Sequence, residues 1–327
     1  MLLFISRRFL NYLILLFIAV SLVYLLAATQ LDPRSLYEHR NPPLDPQAIE
    51  NALRSYNLSD EVPVLERYWI WLTNVLTDWN WGRAPFGESV NEQIGTRVWV
   101  SLRLVTLGSV IGILVGVALG AWTAVRQYRA SDRITTLISL ILISTPIIVV
   151  AVVLQILAIR ANNALGYTFL EFVGEAGQVG DYPGAWLADR LQHLFLPTLT
   201  LALNGLAFYS RIQRNLMLDT LGNDYVRTAR AKGLREGVAL RRHALRTALI
   251  PTGTYFAFTM AQLVLGATFV ELVFSWHGMG IYGVEAIQQM DIHGTVAFAA
   301  FAGVCVLVGA TLSDILVAAL DPRVRVS

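Results

Sequence analysis

The sequence predicts an all-α integral membrane protein: six transmembrane helices, with a helical segment outside the membrane between the first two. Three observations predict it. Of 327 residues, 55% are hydrophobic and only 15% charged, a balance too apolar for an ordinary soluble domain. Apolar runs long enough to cross a bilayer, about 20 residues, recur along the chain. Arginines gather in alternate connections, at residues 7–8, 126–133, 211–246 and 323–325, while the intervening connections are net acidic. That asymmetry puts both termini on the cytoplasmic side. A formal charge of +2 gives no support for nucleic-acid binding, and the single cysteine, Cys305, forms no intrachain disulfide.

The first apolar run, 9–28, follows Arg7 and Arg8. It is long enough to span, and Leu26 spoils a small-x-small cleavage site before Ala28. Residues 29–96 turn polar, broken by Pro33, Pro42, Pro43, Pro46, Pro63 and Pro85. Within them Asp45-Pro46 reads as a cap and first-turn proline, followed by Ile49, Leu53 and Tyr56 at helical spacing. A second stripe, Leu65, Tyr68, Trp69, Leu72, Val75, Leu76 and Trp79, predicts a helix lying on the outer membrane surface.

The second span, 98–124, carries Trp99 and Trp122 near its ends, where interfacial tryptophans sit. Gly108, Gly112, Gly116 and Gly120 recur every fourth residue and allow another helix to approach closely. Arg103 reads as a side chain snorkelling to the outer boundary. Arg126, Arg129 and Arg133 form an inside loop before the third span, 134–159, which Pro146 should kink by removing a backbone donor. Glu171, Glu175, Asp181 and Asp189 mark 160–190 as an outside loop, and the fourth span, 191–209, delivers Arg211 and Arg214 to the inside. The fifth span, 252–274, has Glu271 near its outer end. A short outside loop leads to the sixth, 295–320, with Asp314 in its last inner turns. Glu271 reads as a gate or salt-bridge residue, and Asp314 as the partner of an inner arginine such as Arg246. Gln155, Asn204 and Gln262 are polar within spans, either lining a pathway or bonding between helices.

Between the fourth and fifth spans lies a basic, helix-forming island, 222–251. Asp224 is placed to cap a helix on which Tyr225, Ala229 and Lys232 share a face, and Gly233 to end it. A second amphipathic set follows, Leu240, Ala244, Leu245 and Ala248 on one side, with Arg235, Arg241, Arg242 and Arg246 interspersed. Pro251 then marks the start of the next span, where its missing N–H costs nothing. An arginine-rich loop that only fixes topology is one reading. The ordered Ala, Gly and Pro positions favour the other, a docking element for a second protein.

The run Asp224-Tyr-Val-Arg-Thr-Ala-Arg-Ala-Lys-Gly233, with Arg242-His-Ala-Leu and Ala248-Leu-Ile-Pro251, resembles the cytoplasmic coupling loop of ABC importer permeases, in the form typical of the oligopeptide, dipeptide and nickel subfamily. Arg227, Thr228 and Ala229 hold places that are acidic and alanine in the generic motif, whereas the Ala-Arg-Ala-Lys-Gly core matches the subfamily. Glu271-Leu-Val-Phe-Ser-Trp-His-Gly-Met-Gly280 is similar to another segment of that family, with His277 where proline is common. Asp321-Pro-Arg-Val-Arg325 is similar to its usual ending, and Gln30-Leu-Asp-Pro33 stands where many members carry Pro-Gly-Asp-Pro.

The resemblance implies the type I ABC importer permease fold in a bacterial cell membrane. It also implies three parts: 1–96, the first span plus the extracytoplasmic segment; 97–320, a core of five spans with the coupling loop at about 219–250; and 321–327, a cytoplasmic tail. Asp224, Tyr225, Arg227, Ala229, Ala231, Lys232 and Gly233 would then contact an ATPase. The partners implied are a second homologous permease subunit, two cytoplasmic ABC ATPase subunits or domains that bind ATP and Mg, and an extracytoplasmic solute-binding protein. Contact with that binding protein, or packing over the outer ends of the spans, would be the role of the segment at 29–96. Peptide is the implied cargo, with nickel or another small solute as the alternative.

The chain carries no chemistry of its own to drive transport. Its only lysine, Lys232, follows an alanine, so no Gly-Lys-Ser/Thr phosphate loop exists. No His-Glu-x-x-His or Gly-x-Ser-x-Gly motif is present. His39, His193, His243, His277 and His293 are scattered and read as surface or packing residues, not metal ligands. No enzyme activity, catalytic residue or cofactor is expected in this chain. An ion-coupled secondary transporter is the rival from another class; internal repeats typical of that class are not seen.

Overall fold

The computed structural model describes residues 2–38, 44–177 and 183–320. His39, Pro42, Pro43, Asp181, the tail 321–327 and the side chain of Gln262 lie outside the described residues. The helices are α1 Leu2–Gln30, α2 Ser35–Glu38, α3 Pro46–Ser55, α4 Val64–Asp78, α5 Val90–Val125, α6 Ala130–Ser144 and α7 Ile147–Leu165. They continue with α8 Ala185–Leu221, α9 Asp224–Ala231, α10 Glu236–Ala239, α11 Arg246–Phe274, α12 Met279–Gln288 and α13 Ile292–Leu320. Among the described residues five of them, α1, α5, α7, α8 and α13, are long and apolar enough to cross a membrane, and Leu263–Phe274 of α11 with α12, bent by 83°, passes the same test as a pair, in the form of a broken span or a re-entrant loop.

Two of the expected connections are different in detail. A proline bars the preceding residue from helical ψ as well as removing a donor. Thr145 is accordingly extended, at φ −94° and ψ 125°, so Pro146 separates α6 from α7 completely where a kink was expected. The stretch after 274, expected as a plain loop, contains α12. Ser275 turns the chain through the left-handed region, φ 53°, and Trp276 and Met279 are buried.

The chain forms two compact units. The core unit comprises the described residues of 1–9, 103–276 and 306–327. Its organising contact is the glycine seam of α5 against α8. A methyl group added at Gly108 would lie 2.6 Å from Leu201 Cβ, at Gly112 2.9 Å from the Ala202 carbonyl oxygen, and at Gly116 2.9 Å from that of Leu206. Only hydrogen fits there. Arg103 pairs with Glu175 at 2.7 Å, which Arg190 also reaches at 3.1 Å, so an expected snorkelling side chain is tied to the 166–184 connection. Gln155 donates to the Val273 carbonyl at 2.8 Å, the interhelical bond that was one of its two readings.

The second unit comprises the described residues of 10–102 and 277–305. Asp45 caps α3 by accepting from the Gln47 N–H at 3.1 Å with Pro46 at the first helical position, and Ile49 and Leu53 are buried. On α4 the predicted single stripe resolves into two faces. Tyr68, Trp71 and Leu72 are buried, with the Trp71 ring stacked on Tyr24 at 4.8 Å and the Tyr68 hydroxyl 2.7 Å from that of Ser21. Leu65, Trp69, Leu76 and Trp79 are exposed. His293 is buried and bonds the Arg83 carbonyl at 2.8 Å, a packing histidine.

Because the seam meets backbone atoms that cannot move aside, Gly112→Leu and Gly116→Leu should each destabilise the fold by at least about 1–3 kcal/mol. Thermal unfolding of the detergent-purified chain, compared with Gly95→Ala, where a methyl group meets nothing within 4 Å, checks this.

Candidate functional site

The basic island begins with α9. Its N-cap is Asn223, extended at φ −73° and ψ 147°. Asp224, expected in that role, is instead the first helical residue, where its carboxylate faces the positive end of the helix dipole. The helix ends in a Schellman turn: Gly233 N–H donates to the Arg230 carbonyl at 2.9 Å and Leu234 N–H to that of Ala229 at 3.3 Å. Gly233 has φ +89°, a conformation that favours glycine over any residue with a Cβ. A Cβ there would meet nothing within 4 Å, so backbone conformation alone demands the glycine within this chain.

The island splits into two faces. Val226 and Ala229 are buried, and Val226 packs in a cluster with Ala124 of α5, Met217 of α8, and Ala244 and Ala248. Asp224, Tyr225, Arg227, Ala231, Lys232 and Gly233 are exposed. Ala229 was expected on the contact face with Tyr225; it faces its own chain, because two apolar residues three apart on a short helix are the side that has a core to bury against. From 236 the chain runs without interruption through α10, a π-helical turn at Leu240–Leu245 and α11. Pro251 therefore lies inside a helix and not at its start, leaving the Thr247 carbonyl without its usual i→i−4 donor. The expected second amphipathic element is the first part of the rod that becomes the fifth span.

The ionisable residues singled out near the span ends sort differently from expectation. Asp314 pairs with Arg8 at 2.5 Å, while Arg246 donates to the Leu320 carbonyl at 3.3 Å. Glu271 is buried, and its carbonyl accepts from the Trp276 N–H at 2.9 Å.

Within the core unit the break at Thr145 and Pro146 borders a cleft of about 300 Å³ between α6, α7, α8 and α11. Thr145, Asn204 and Thr259 supply its polar side chains, and Phe208, Leu263 and Phe269 much of its apolar wall. Thr259 accepts from the buried Tyr209 hydroxyl at 2.8 Å. The Asn204 amide has no hydrogen-bond partner among the described residues. That amide is half-buried at the cleft wall, and irregular backbone at membrane depth is tolerated where it borders a cavity. Both features put polar groups at the wall of the cleft.

Residues 116–326 match the model of the binding-protein-dependent transport system inner membrane component. The chain belongs to that family. This inner membrane component is 47% identical over 326 residues, 99% of both chains, to the oligopeptide transport system permease protein OppB of Mycobacterium tuberculosis strain ATCC 25618 / H37Rv. It is 32% identical over 323 residues, 98% of both chains, to the oligopeptide transport system permease protein AppB of Bacillus subtilis strain 168. To the dipeptide transport system permease protein DppB of that strain it is 29% identical over 280 residues, 85% of both chains.

One constellation of this membrane component went unmarked in the sequence. Asp132, just before the third span, accepts from Arg214 at 2.5 and 2.9 Å and from the Tyr128 N–H at 2.9 Å. The Arg214 hydrogen bond holds its carboxyl below the ordinary carboxylate range, with the Tyr128 N–H contributing. The pair joins the start of α6 to α8. Its only local signal was Asp132 among the arginines of the 126–133 loop, with no indication of which distant arginine it would meet.

A depressed carboxylate pKa contributes stability above the unfolded value, and that contribution disappears as pH falls through the folded one. Asp132→Asn should therefore lower thermal stability at neutral pH, by about 1.5–3 kcal/mol for charge-assisted bonds. The gap to the unaltered chain should begin to narrow as pH falls below about 4 and close only below the lowered folded value. Unfolding followed from pH 7 to pH 3 measures it.

Proposed function

We propose that this membrane component is a permease subunit of an ATP-driven peptide importer, moved by ATPase subunits that dock on α9. The observation that carries the reading is the two-faced α9: one face wired by Val226 into α5, α8 and the α11 rod, the other presenting Tyr225, Arg227, Ala231 and Lys232 around the rigid Gly233 turn. Force applied to the exposed face has a packed route into the spans. In this reading α9, both termini and the basic loops face the cytoplasm, which the arginine distribution supports. Two ABC ATPase subunits or domains bind ATP and Mg, a second homologous permease supplies the other half of the pathway, and an extracytoplasmic solute-binding protein delivers the cargo. ATP-driven closure of the ATPases favours one orientation of the two α9 helices, and that difference in preference drives alternating access.

Peptide as the cargo is supported by the names of the relatives and by the chemistry of the cleft. Thr145, Asn204 and Thr259 offer neutral donors and acceptors against an apolar wall. Such a lining can pair with peptide amides whatever the side chains, and it offers a bare metal ion no carboxylate, thiolate or imidazole. Nickel or another small solute is the alternative cargo that the same transport assay separates.

Uptake of labelled peptides and of nickel into vesicles holding the reconstituted complex, with and without ATP, tests the reading. ATP-dependent peptide uptake is expected; uptake by this chain in an ion gradient without any ATPase would favour a secondary transporter. Arg227→Glu and Gly233→Leu should each lower ATP-dependent uptake about ten-fold or more while the chain still inserts in the membrane. Asn204→Leu should lower uptake and change thermal stability by no more than about 0.5 kcal/mol, because the half-buried amide makes no hydrogen bond among the described residues. Uptake and unfolding measured on one preparation check the pair of effects.

A further inference from the structure

Nearer the Arg214–Asp132 pair, α5, α6 and α8 enclose a second, smaller pocket of about 120 Å³, room for roughly four waters. The Ser139 and Ser210 hydroxyls, 3.0 Å apart, line it together with Thr135, Thr136, Arg211 and Asn215. Arg214, also at its wall, is committed to Asp132. Arg211 has no ion-pair or hydrogen-bond partner among the described residues, and neither do the hydroxyls of Thr135 and Thr136. The pocket thus holds a free guanidinium, a second guanidinium already neutralised, and unpaired hydroxyls.

Its level relative to a bilayer is marked from two sides. Trp122, next to the lining residue Thr123, is exposed, with the Arg126 guanidinium 4.2 Å from its ring centroid, an arrangement suited to the headgroup boundary. On α6, Ile134, Leu137 and Ile138 beside the lining threonines are exposed and apolar, as acyl chains require.

We infer that this pocket binds a phosphate group, and that its source is the headgroup of an anionic phospholipid. A guanidinium meets phosphate oxygens with two parallel N–H donors, threonine hydroxyls complete the shell, and the adjoining apolar face accommodates the acyl chains. The lipid would hold the α6 start against α8 beside the ion pair that joins the same two helices. This inference needs only a bilayer and stands whether or not the chain imports peptides.

The test is binding to the full chain, purified in a neutral detergent with the subunits that accompany it. Dioleoylphosphatidylglycerol is titrated while thermal unfolding is followed. Dioleoylglycerol, which has the same acyl chains and no phosphate, and inorganic phosphate are titrated in parallel. The phospholipid should raise the unfolding temperature and dioleoylglycerol should not. Arg211→Gln should weaken the phospholipid effect about ten-fold or more, Arg211→Lys less so, and Thr135→Val with Thr136→Val to an intermediate degree. Arg235→Gln, an exposed arginine elsewhere, should leave it unchanged. An Arg211-dependent effect of inorganic phosphate that the phospholipid does not exceed would keep the phosphate site and overturn the lipid as its source. Equal phospholipid affinity in Arg211→Gln and the unaltered chain, or an equal effect of dioleoylglycerol, would overturn the site itself.

Discussion

Backbone-to-backbone contact between α5 and α8 is the constraint on which the rest of the core depends. Four glycines at intervals of four residues remove every side chain from one face of α5, so α8 lies against it with no room for a methyl group. Once α8 is held there, its other faces are assigned. One carries Asn204 and Phe208 to the cleft and Arg211 and Asn215 to the small polar pocket. Another carries Met217 to the cluster that seats α9. In lipid, helices gain little from hiding apolar surface from water, so it is this close packing that holds the two helices as one rigid element.

The route from the exposed face of α9 to the cleft is short in chain terms and made of packed elements. Val226 meets Met217, Ala244 and Ala248. Ala248 belongs to α11, the same helix that brings Thr259 to the cleft wall. A π-helical turn at Leu240–Leu245 leads into that helix and carries Ala244 of the α9 contact, and an internal proline, Pro251, lies between that contact and the cleft. Both weaken the i→i−4 ladder locally, and the proline does so between the two packed stretches of the rod. The break at Thr145 and Pro146 interrupts the ladder on the opposite wall.

Much of this was legible in the sequence, for reasons that are local. The spans announce themselves by length and hydropathy, the seam by its four-residue glycine repeat, α3 by Asp45-Pro46, and the end of α9 by a glycine where a left-handed residue is required. What was not legible depended on partners far along the chain. Ala229 and Tyr225 share a helical face on paper, yet only the packing of Val226 decides which side of α9 is inward. Asp314 had several arginines within reach by hydropathy, and the fold brings it Arg8 in place of Arg246. Asp132 and Arg214 are separated by two spans. Pro251 looked like a helix start because nothing in the sequence revealed that α10 and the π-helical turn would run on into α11. Trp71 was left out of the predicted stripe because α4 is apolar on two faces and periodicity cannot choose between them.

The central claim is that the exposed face of α9 is where a separate ATPase pushes. Tyr225→Cys in a background of Cys305→Ala, with a bifunctional thiol reagent applied to the intact complex in membranes, tests it most directly. A cross-link from residue 225 to an ATPase subunit, changing in yield when ATP is added, is the predicted result. Labelling of that cysteine by an impermeant reagent from outside the cell, with no ATPase cross-link, would contradict it.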